Sequence, residues 1–383
     1  MHSLTRLHRS GNVAKCITLL AFGLSAFSFN TVAQPAPVTL DYFGLHIHRA
    51  DAGTAWPNIP FGSWRLWDAY VGWRELQPTR DRWDFSRLDL YVAMAALTKT
   101  SLVLPLAMTP AWASARPDEP SAYRPGNSAE PKMIEDWRRY VEAVGRRYRG
   151  KIQFFEIWNE PNAKDHYTGT VEKMVELTCE AYRVLKAIDP DIRVISPGVV
   201  GATHVQYLER FLAAGGKSCF DIVAYHFYVQ RFGPEAMVPV IREVRAIMRR
   251  HGVHDKPLWN TETGWWIANG DGTPDHPMVA KGGWRKLALE PESGDFLMRA
   301  FLLARAEGVE RFFWYSWDNP YGLGMIEPTS GKPKPMVERW RSTVESLVGA
   351  TNLKCDQDGK AWRCTFITKN GLPQSVSWTE DRP

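Results

Sequence analysis

The sequence IQFFEIWNEPN, residues 152–162, runs through large apolar and β-branched side chains and then presents Asn159 and Glu160 directly before a proline. The apolar run predicts a buried β-strand, and the proline marks its end. Reactive groups of parallel α/β barrels lie at the carboxyl ends of their strands. The position of Glu160 therefore raises the question of whether other strands end in the same way.

Seven further segments have strand-like composition. The eight strand candidates are residues 42–48, 63–68, 100–108, 152–159, 192–198, 220–228, 257–264 and 311–318. Helical patterns follow the second to the eighth candidate, and only the first connection lacks room for a normal helix. This alternation predicts βα units and a parallel sheet. Eight such units, over residues 38–349, fit an α/β fold of the (β/α)8 TIM barrel type, whose usual size is about 250 residues.

The clearest helical pattern covers residues 234–251. Its apolar side chains recur at helical spacing, with arginines on the other faces, and they are Met237, Val240, Ile241, Val244, Ile247 and Met248. One stripe of this helix should therefore pack inward. A doubly wound open sheet is the alternative fold, but it would normally carry a glycine-rich phosphate loop, and neither GxGxxG nor GxxxxGK[ST] occurs in the sequence.

The two ends of the chain differ from the predicted barrel. Residues 1–33 combine three cations, the apolar run CITLLAFGLSAFSF and a small-residue end at Ala33, which predicts a secretory signal peptide and a periplasmic or secreted protein. A membrane anchor is disfavoured, because the run is shorter than the roughly 20 residues that span a bilayer. Residues 350–383 predict a small β-hairpin extension with one more strand.

The charge and the cysteines limit the partners. The formal net charge of +5 includes the three cations of residues 1–33, so +2 remains without them, and no basic run predicts nucleic-acid binding. No further apolar segment predicts a membrane span.

Four cysteines would remain in an oxidising compartment. The turn in KCDQDGKAWRC favours a Cys355–Cys364 disulfide, and elimination leaves Cys179 with Cys219. A zinc site is disfavoured, since no pair has CxxC spacing.

The chemistry is predicted by the residues that end the strands. Glu160 ends the fourth strand and Glu262 lies near the end of the seventh, and these strands face each other across the mouth of an eight-stranded barrel. Cleavage of a glycosidic bond needs two facing carboxyl groups, one to protonate the departing oxygen and one to attack or stabilise the anomeric carbon. The sequence therefore indicates a glycoside hydrolase with a carbohydrate substrate and no cofactor.

A family resemblance supports this interpretation. IWNEPN at 157–162 and NTETGW at 260–265 resemble the paired signatures of clan A glycoside hydrolases, and FGLHIHR, RLWD and TPAWAS resemble family 39 and its bacterial relatives. The resemblance covers roughly residues 41–340. It implies that Glu160 is the general acid/base, that Glu262 is the nucleophile, and that configuration is retained. It also implies a hydrogen bond from Asn159 to the sugar 2-hydroxyl.

Further residues are expected around this pair. Glu156 lies one layer deeper than Glu160 and should pair with a cation, with Arg65 the best candidate. Arg65 could instead hold Glu262 ionised, and Tyr228 could donate a hydrogen bond to the same carboxylate. The residues expected to bind the sugar are Asn159, His48, Arg65, His226, Tyr228, Trp265, Trp317 and Asp318. Among them, Trp265 and Trp317 are predicted as the flat apolar wall and floor.

Two other functions are weighed against this prediction. His46 and His48 match the HxH of metal-dependent barrel hydrolases, with His226 and Asp318 as further ligands, but the fourth strand offers no lysine and the fifth ends without a histidine, so we predict no metal. A non-catalytic carbohydrate-binding barrel would be expected to lack one of the two glutamates.

We predict a monomer that cleaves within a polysaccharide, and bacterial exopolysaccharides are among the candidate substrates. An exo-acting β-xylosidase-like enzyme is the alternative.

Overall fold

The structure is a computed structural model that describes residues 36–229, 231–280 and 283–380. The predicted signal peptide lies outside the described residues. Within the described part, no helix is long and apolar enough to cross a membrane.

The described elements alternate along the chain as the sequence predicts. The strands are β1 (Phe43–His46), β2 (Ser63–Arg65), β3 (Ser101–Leu106), β4 (Phe154–Ile157), β5 (Arg193–Ile195), β6 (Val199–Val200), β7 (Val223–His226), β8 (Leu258–Thr263), β9 (Trp266–Ile267), β10 (Lys286–Leu287), β11 (Arg311–Trp314), β12 (Thr351–Asp358), β13 (Ala361–Ile367) and β14 (Pro373–Thr379). The helices are α1 (Trp73–Leu76), α2 (Ser86–Thr98), α3 (Ile134–Arg147), α4 (Val171–Ile188), α5 (Val205–Ala213), α6 (Met237–Arg250), α7 (Pro277–Ala280), α8 (Glu292–Ala306) and α9 (Met336–Leu347).

Nine strands form one parallel sheet in the order β5-β4-β3-β2-β1-β11-β8-β7-β6. Isolated parallel bridges from Asn159 to Gly198 and from Ile195 to Ile222 connect its two ends. β5 and β6 flank Pro197, which has no N–H to give to a ladder, so both occupy the fifth position of the barrel. The predicted TIM barrel is confirmed, and β4 and β8, which carry the two glutamate motifs, lie on opposite sides of it.

Apolar side chains from six strands form a separate buried cluster inside the barrel: Val103, Phe154, Ile195, Ile222, Ala224, Trp259 and Phe313. Arg311 closes the amino end of this interior. Its guanidinium lies 4.5 Å from the ring centre of Phe154 and 4.4 Å from that of Trp259, and it pairs with Asp41 at 2.9 Å. Packing fills the amino end, so open space for a ligand is left at the carboxyl ends of the strands.

The helices pack their apolar faces on the outside of the sheet. In α6 the predicted stripe is buried, from Met237 through Ile241 and Val244 to Met248, while arginines occupy the last turn. A one-turn 3₁₀ segment, Pro234–Ala236, precedes it. The prediction for this helix is confirmed, since the whole stripe faces the core.

The C-terminal strands form an antiparallel sheet in the order β12-β13-β14. Trp362 belongs to a small buried cluster with Val238 of α6 and Leu303 of α8. Trp378 donates its indole N–H to Glu235 at 2.7 Å. The extension is therefore packed on the helical layer of the barrel.

Both expected disulfides are present. Cys355 and Cys364 are cross-strand partners in β12 and β13, and Cys179 of α4 is bonded to Cys219. The second bond joins residues 40 apart and the first joins residues 9 apart. The pairing expected from the Asp358-Gly359 turn is therefore confirmed.

We expect the two disulfides to differ in their effect on the free energy of unfolding. Cross-links act largely by restricting the unfolded chain, so the longer loop of Cys179–Cys219 should contribute about 4 kcal/mol and that of Cys355–Cys364 about 3 kcal/mol. Denaturant unfolding of the two double alanine variants, against the oxidised wild type, measures the difference. A larger loss for the Cys355/Cys364 variant would contradict this order.

Candidate active site

Backbone strain is concentrated at the carboxyl ends of three neighbouring strands. Positive φ angles occur at Asp68 (57°) after β2, Met108 (67°) after β3, and Trp158 (65°) and Glu160 (48°) after β4. Side chains with a Cβ rarely adopt this region, and such residues are held there by their surroundings, commonly at functional sites. The strain lies where the sequence predicts the reactive groups.

Glu160 and Glu262 meet across the barrel mouth. One carboxylate oxygen of each, together with a ring nitrogen of His226, lies within 4.8 Å of the others. Nδ1 of His226 is 2.9 Å from Oε1 of Glu160, and Nδ1 of His166 is 3.8 Å from Oε2. The Glu160 side chain is 13% exposed. Burial raises the pKa of Glu160, the charges of His166 and Arg65 lower it, and the charge of Asp68 raises it.

Glu262 is surrounded by donors. Arg65 donates from Nη1 to Oε2 at 2.8 Å, and Tyr228 donates its hydroxyl to Oε1 at 3.1 Å, so the contacts considered from the sequence are both present. Burial and then the charge of Glu160 raise the pKa of Glu262, whereas Arg65 and the Tyr228 hydrogen bond lower it. Both donors stabilise the ionised form of this carboxylate.

Burial also holds His226 in its neutral form, because it lowers the pKa of the imidazole well below its ordinary value. Within the described part of the chain, Glu160 therefore has no cation in hydrogen-bond contact, while Glu262 has Arg65. Two carboxylates this close share one proton over a wide pH range. Burial raises the pKa of Glu262 well above its ordinary value, whereas the hydrogen bonds from Arg65 and Tyr228 oppose this shift and favour the ionised form.

Arg65 connects the pair to a deeper layer. Its Nε donates to Glu156 at 2.5 Å and its Nη2 to Oδ1 of Asn159 at 2.7 Å, while Thr261 donates to the other oxygen of Glu156 at 2.8 Å. The Arg65 side chain is 0% exposed. The prediction that Arg65 touches the sugar is therefore wrong, because three protein acceptors enclose it. It positions Asn159 and Glu262 instead.

Replacing Arg65 with alanine is expected to lower the free energy of unfolding by about 3–5 kcal/mol, because Glu156 would remain as a buried, uncompensated charge. Denaturant titration measures this loss. Arg146→Ala is the matched control, since that side chain is 68% exposed and its i,i+4 pair with Glu142 should contribute under about 1 kcal/mol. A loss no larger than that of the control would contradict the structural role.

A cavity of about 440 Å³ lies at the carboxyl ends of β1, β2 and β11, and neither Glu160 nor Glu262 lines it. Its lining includes His48, Trp67, Asp68, Tyr123, Tyr315 and Tyr321. Trp67 connects it to the catalytic pair, because its ring is 6.0 Å from the guanidinium of Arg65 and 6.4 Å from the ring of His166. A second cavity of about 580 Å³ shares Tyr70, Arg74 and Glu75 with the first.

The two predicted tryptophans lie elsewhere. Trp265 packs on Trp314 and Phe296 in the core, gives its N–H to the carbonyl of Phe232, and is fully buried. Trp317 is also in the core and gives its N–H to the carbonyl of Ala55 at 3.3 Å. The structure buries both rings, that of Trp265 against Phe296 of α8, so neither forms the exposed sugar-binding surface that the sequence predicts.

Asp318 is not a sugar ligand either. Its carboxylate is 0% exposed and accepts the backbone N–H groups of His48 at 2.7 Å and Arg49 at 3.0 Å. The prediction fails because both oxygens hold the chain that follows β1. His48 itself does line the cavity, and its ring is tilted against that of Tyr315 at 5.0 Å.

Several site residues were missed from the sequence. Asp68 and Tyr315 follow strand runs directly, so the rule that selected Glu160 could have found them. Tyr123 and His166 lie in long loops whose sequences give no comparable signal. His166 is brought to Glu160 by the loop after β4, where its carbonyl accepts the indole N–H of Trp158 at 2.9 Å.

The residues with metal-ligand geometry are not those of the HxH alternative. Among the described residues, the group of three with ligand geometry is Glu160, His226 and Glu262, which are the predicted catalytic pair and its histidine. His46 contacts the carbonyl of Thr261 through Nε2, and Asp318 is occupied by backbone donors. The structure does not bring His46, His48 and Asp318 together as one such group.

The model for glycosyl hydrolases family 39 matches residues 60–271, which include both glutamate motifs. A curated "Beta-xylosidase" of Caldicellulosiruptor saccharolyticus is 34% identical over 112 residues, or 27% of this chain. The matched segment spans 22% of that relative's length.

Two solved structures are similar over most of the chain. A family 39 glycoside hydrolase from Bacteroides cellulosilyticus WH2 has a TM-score of 0.66 at 19% identity, covering 89% of this chain and 71% of its own. A monomeric beta-xylosidase from Caulobacter crescentus CB15 has a TM-score of 0.65 at 20% identity, covering 87% and 74%. At these identities the likeness shows a shared fold.

Proposed function

The chain belongs to glycosyl hydrolases family 39, and we propose that it is a retaining glycoside hydrolase with Glu160 as the acid/base and Glu262 as the nucleophile. The observation that carries the proposal is the facing pair itself, with carboxylate oxygens within 4.8 Å and with Arg65 and Tyr228 donating hydrogen bonds to Glu262. Retaining enzymes hold their carboxyl groups about 5–5.5 Å apart, whereas inverting enzymes need about 6.5–9.5 Å to admit a water molecule.

The reaction proceeds in two displacements. Ionised Glu262 attacks the anomeric carbon while the bond to the departing oxygen breaks, and Glu160 gives its proton to that oxygen. Glu160, now ionised, takes a proton from water, whose oxygen attacks the same carbon and releases Glu262 as a carboxylate. After the first displacement the proton is on the departing alcohol, and after the second a proton from water is on Glu160. The pair therefore carries one proton at the start and at the end of each catalytic cycle.

Asn159 is proposed to bind the 2-hydroxyl of the reacting sugar. Its Oδ1 is held by Arg65, which fixes the amide plane and assigns Nδ2 as the donor to the sugar. Hydrogen bonds to the 2-hydroxyl strengthen toward the oxocarbenium-like transition state. His48, His226 and Tyr228 complete the surroundings of the ring.

The stereochemistry provides the direct test of this mechanism. ¹H NMR of the first product formed from an aryl glycoside should show the anomeric configuration of the substrate before mutarotation mixes the anomers. Initial release of the opposite anomer would contradict the double displacement. No release from any aryl glycoside, with the fold intact, would contradict the glycosidase itself.

We propose a polysaccharide as the substrate, cleaved within the chain. Two neighbouring cavities that share Tyr70, Arg74 and Glu75 support this, since an internal cleavage needs space for sugars beyond the reacting one. The names of the two beta-xylosidase relatives favour the second candidate, an exo-acting enzyme on β-xylosides. Product sizing on xylans, arabinans, glycosaminoglycans and bacterial exopolysaccharides separates them, since oligomers indicate internal cleavage and monomers the exo mode.

We propose that the protein acts outside the cytoplasm as a monomer. Two disulfides support an oxidising compartment, in agreement with the predicted signal peptide. One structural neighbour is described as monomeric.

A further inference from the structure

A third carboxylate, Asp68, lines the cavity of about 440 Å³. Both of its oxygens are occupied by phenols, since Tyr123 donates to Oδ1 and Tyr315 donates to Oδ2, each at 2.7 Å. An ionised carboxylate only accepts hydrogen bonds and has capacity for about four, so two phenols leave room for sugar hydroxyl groups. The left-handed backbone at Asp68 keeps the side chain in this position.

The two phenols are themselves fixed. Tyr315 packs edge-on against His46 at 5.1 Å, and its hydroxyl is 3.4 Å from Nδ2 of Asn319. Tyr123 packs edge-on against Trp67 at 5.6 Å. Asp68 is therefore a hydrogen-bond acceptor held in place by residues from the loops after β3 and β11.

The charge of Asp68 reaches the reaction centre, where it raises the pKa of both Glu160 and Glu262. Two cations, Arg49 and Arg74, also line the cavity, and Arg74 is paired with Glu75. A sugar whose ring lies against Trp67 would present its hydroxyl groups to Asp68. A carboxylate on that sugar would instead meet a like charge in a partly buried cavity, where water screens the repulsion only weakly.

We propose that Asp68 determines substrate specificity by accepting hydroxyl groups of a neutral sugar and rejecting sugars that carry a carboxylate. This inference rests on the proposed function, and it names the residue that separates neutral from uronic substrates. A neutral asparagine in place of Asp68 would keep the shape and lose the charge. The test therefore compares Asp68→Asn with the wild type on an aryl β-glucoside and the matching aryl β-glucuronide.

The ratio of kcat/KM for glucoside over glucuronide should fall about 10- to 100-fold in Asp68→Asn. Tyr123→Phe removes one donor but keeps the charge, so it should retain the preference. The exposed Asp191→Asn is the control for loss of a carboxylate elsewhere. If both substrates lose rate equally in Asp68→Asn, the residue has a structural role and the specificity proposal is overturned.

A binding measurement separates this inference from the glycosidase proposal. In a Glu262→Gln background, calorimetry compares cellotetraose with its C6-carboxylate counterpart, with and without Asp68→Asn. A preference for the neutral oligosaccharide that disappears in Asp68→Asn supports the inference, even if the wild type hydrolyses neither aryl glycoside. Equal binding of the two in the presence of Asp68, or binding of neither, would overturn it.

Discussion

Glu262→Gln is expected to abolish turnover of every glycoside, whatever its leaving group. Glutamine keeps the shape and can still meet Tyr228 and Arg65, but it cannot form the ester to the anomeric carbon. Loss of a nucleophile in a cooperating group typically costs on the order of 10⁵- to 10⁶-fold in kcat. Initial rates on an activated aryl glycoside, where proton transfer is not needed, measure the loss of the nucleophile alone.

The matched control is Glu338→Gln, an exposed glutamate (79%) on the surface of α9, which should keep wild-type rates. Glu262→Ala with added azide gives a second readout. Azide would enter from the side that Glu262 vacates and form a glycosyl azide of inverted configuration. An azide product of retained configuration would instead identify Glu262 as the acid/base, and residual turnover comparable to wild type would exclude it from the mechanism.

The fold could be predicted from the sequence because its signals are local and repeated. Each barrel strand is a short apolar run, and helices such as α3, α5 and α6 carry their own inward stripes, so the barrel follows from counting units. The break between β5 and β6 was not predicted, although Pro197 is the residue that causes it. The small strands β9 and β10 were also missed, because two-residue ladders depend on the loops that hold them.

The site could be predicted only in part, for a physical reason. Glu160, Glu262 and Tyr228 lie at or next to strand ends, where barrel geometry fixes their directions. Trp265 and Trp317 lie two and three residues after β8 and β11, as close to a strand end as Glu160 is to β4, and yet their rings enter the core. A motif identifies residue type and place along a strand, whereas the direction of a loop side chain depends on contacts distant in sequence, such as that between Tyr123 and Asp68.

Glu160→Gln is expected to reduce kcat by about 10²- to 10⁴-fold on glycosides with poor leaving groups, because the departing oxygen would receive no proton. On a dinitrophenyl glycoside the first displacement should remain near the wild-type rate, since that leaving group departs as a stable anion. Hydrolysis of the glycosyl-enzyme needs Glu160 as a base, so the intermediate should accumulate as a burst. Pre-steady-state release of the phenol measures it, and slow release without a burst would contradict the acid/base role.

The pH dependence of the same variant tests which glutamate holds the proton. In the wild type, activity should be lost at low pH as Glu262 is protonated and lost at high pH as Glu160 loses its proton. Both limbs should lie above the ordinary range of a carboxyl group, because burial raises the pKa of both residues. Glutamine cannot titrate, so the alkaline limb should vanish in the pH profile of the burst rate. The acid limb should stay where it was, because protonated Glu160 and glutamine are both neutral beside Glu262. If the acid limb vanished instead, the proton would reside on Glu262 and the two roles would be exchanged.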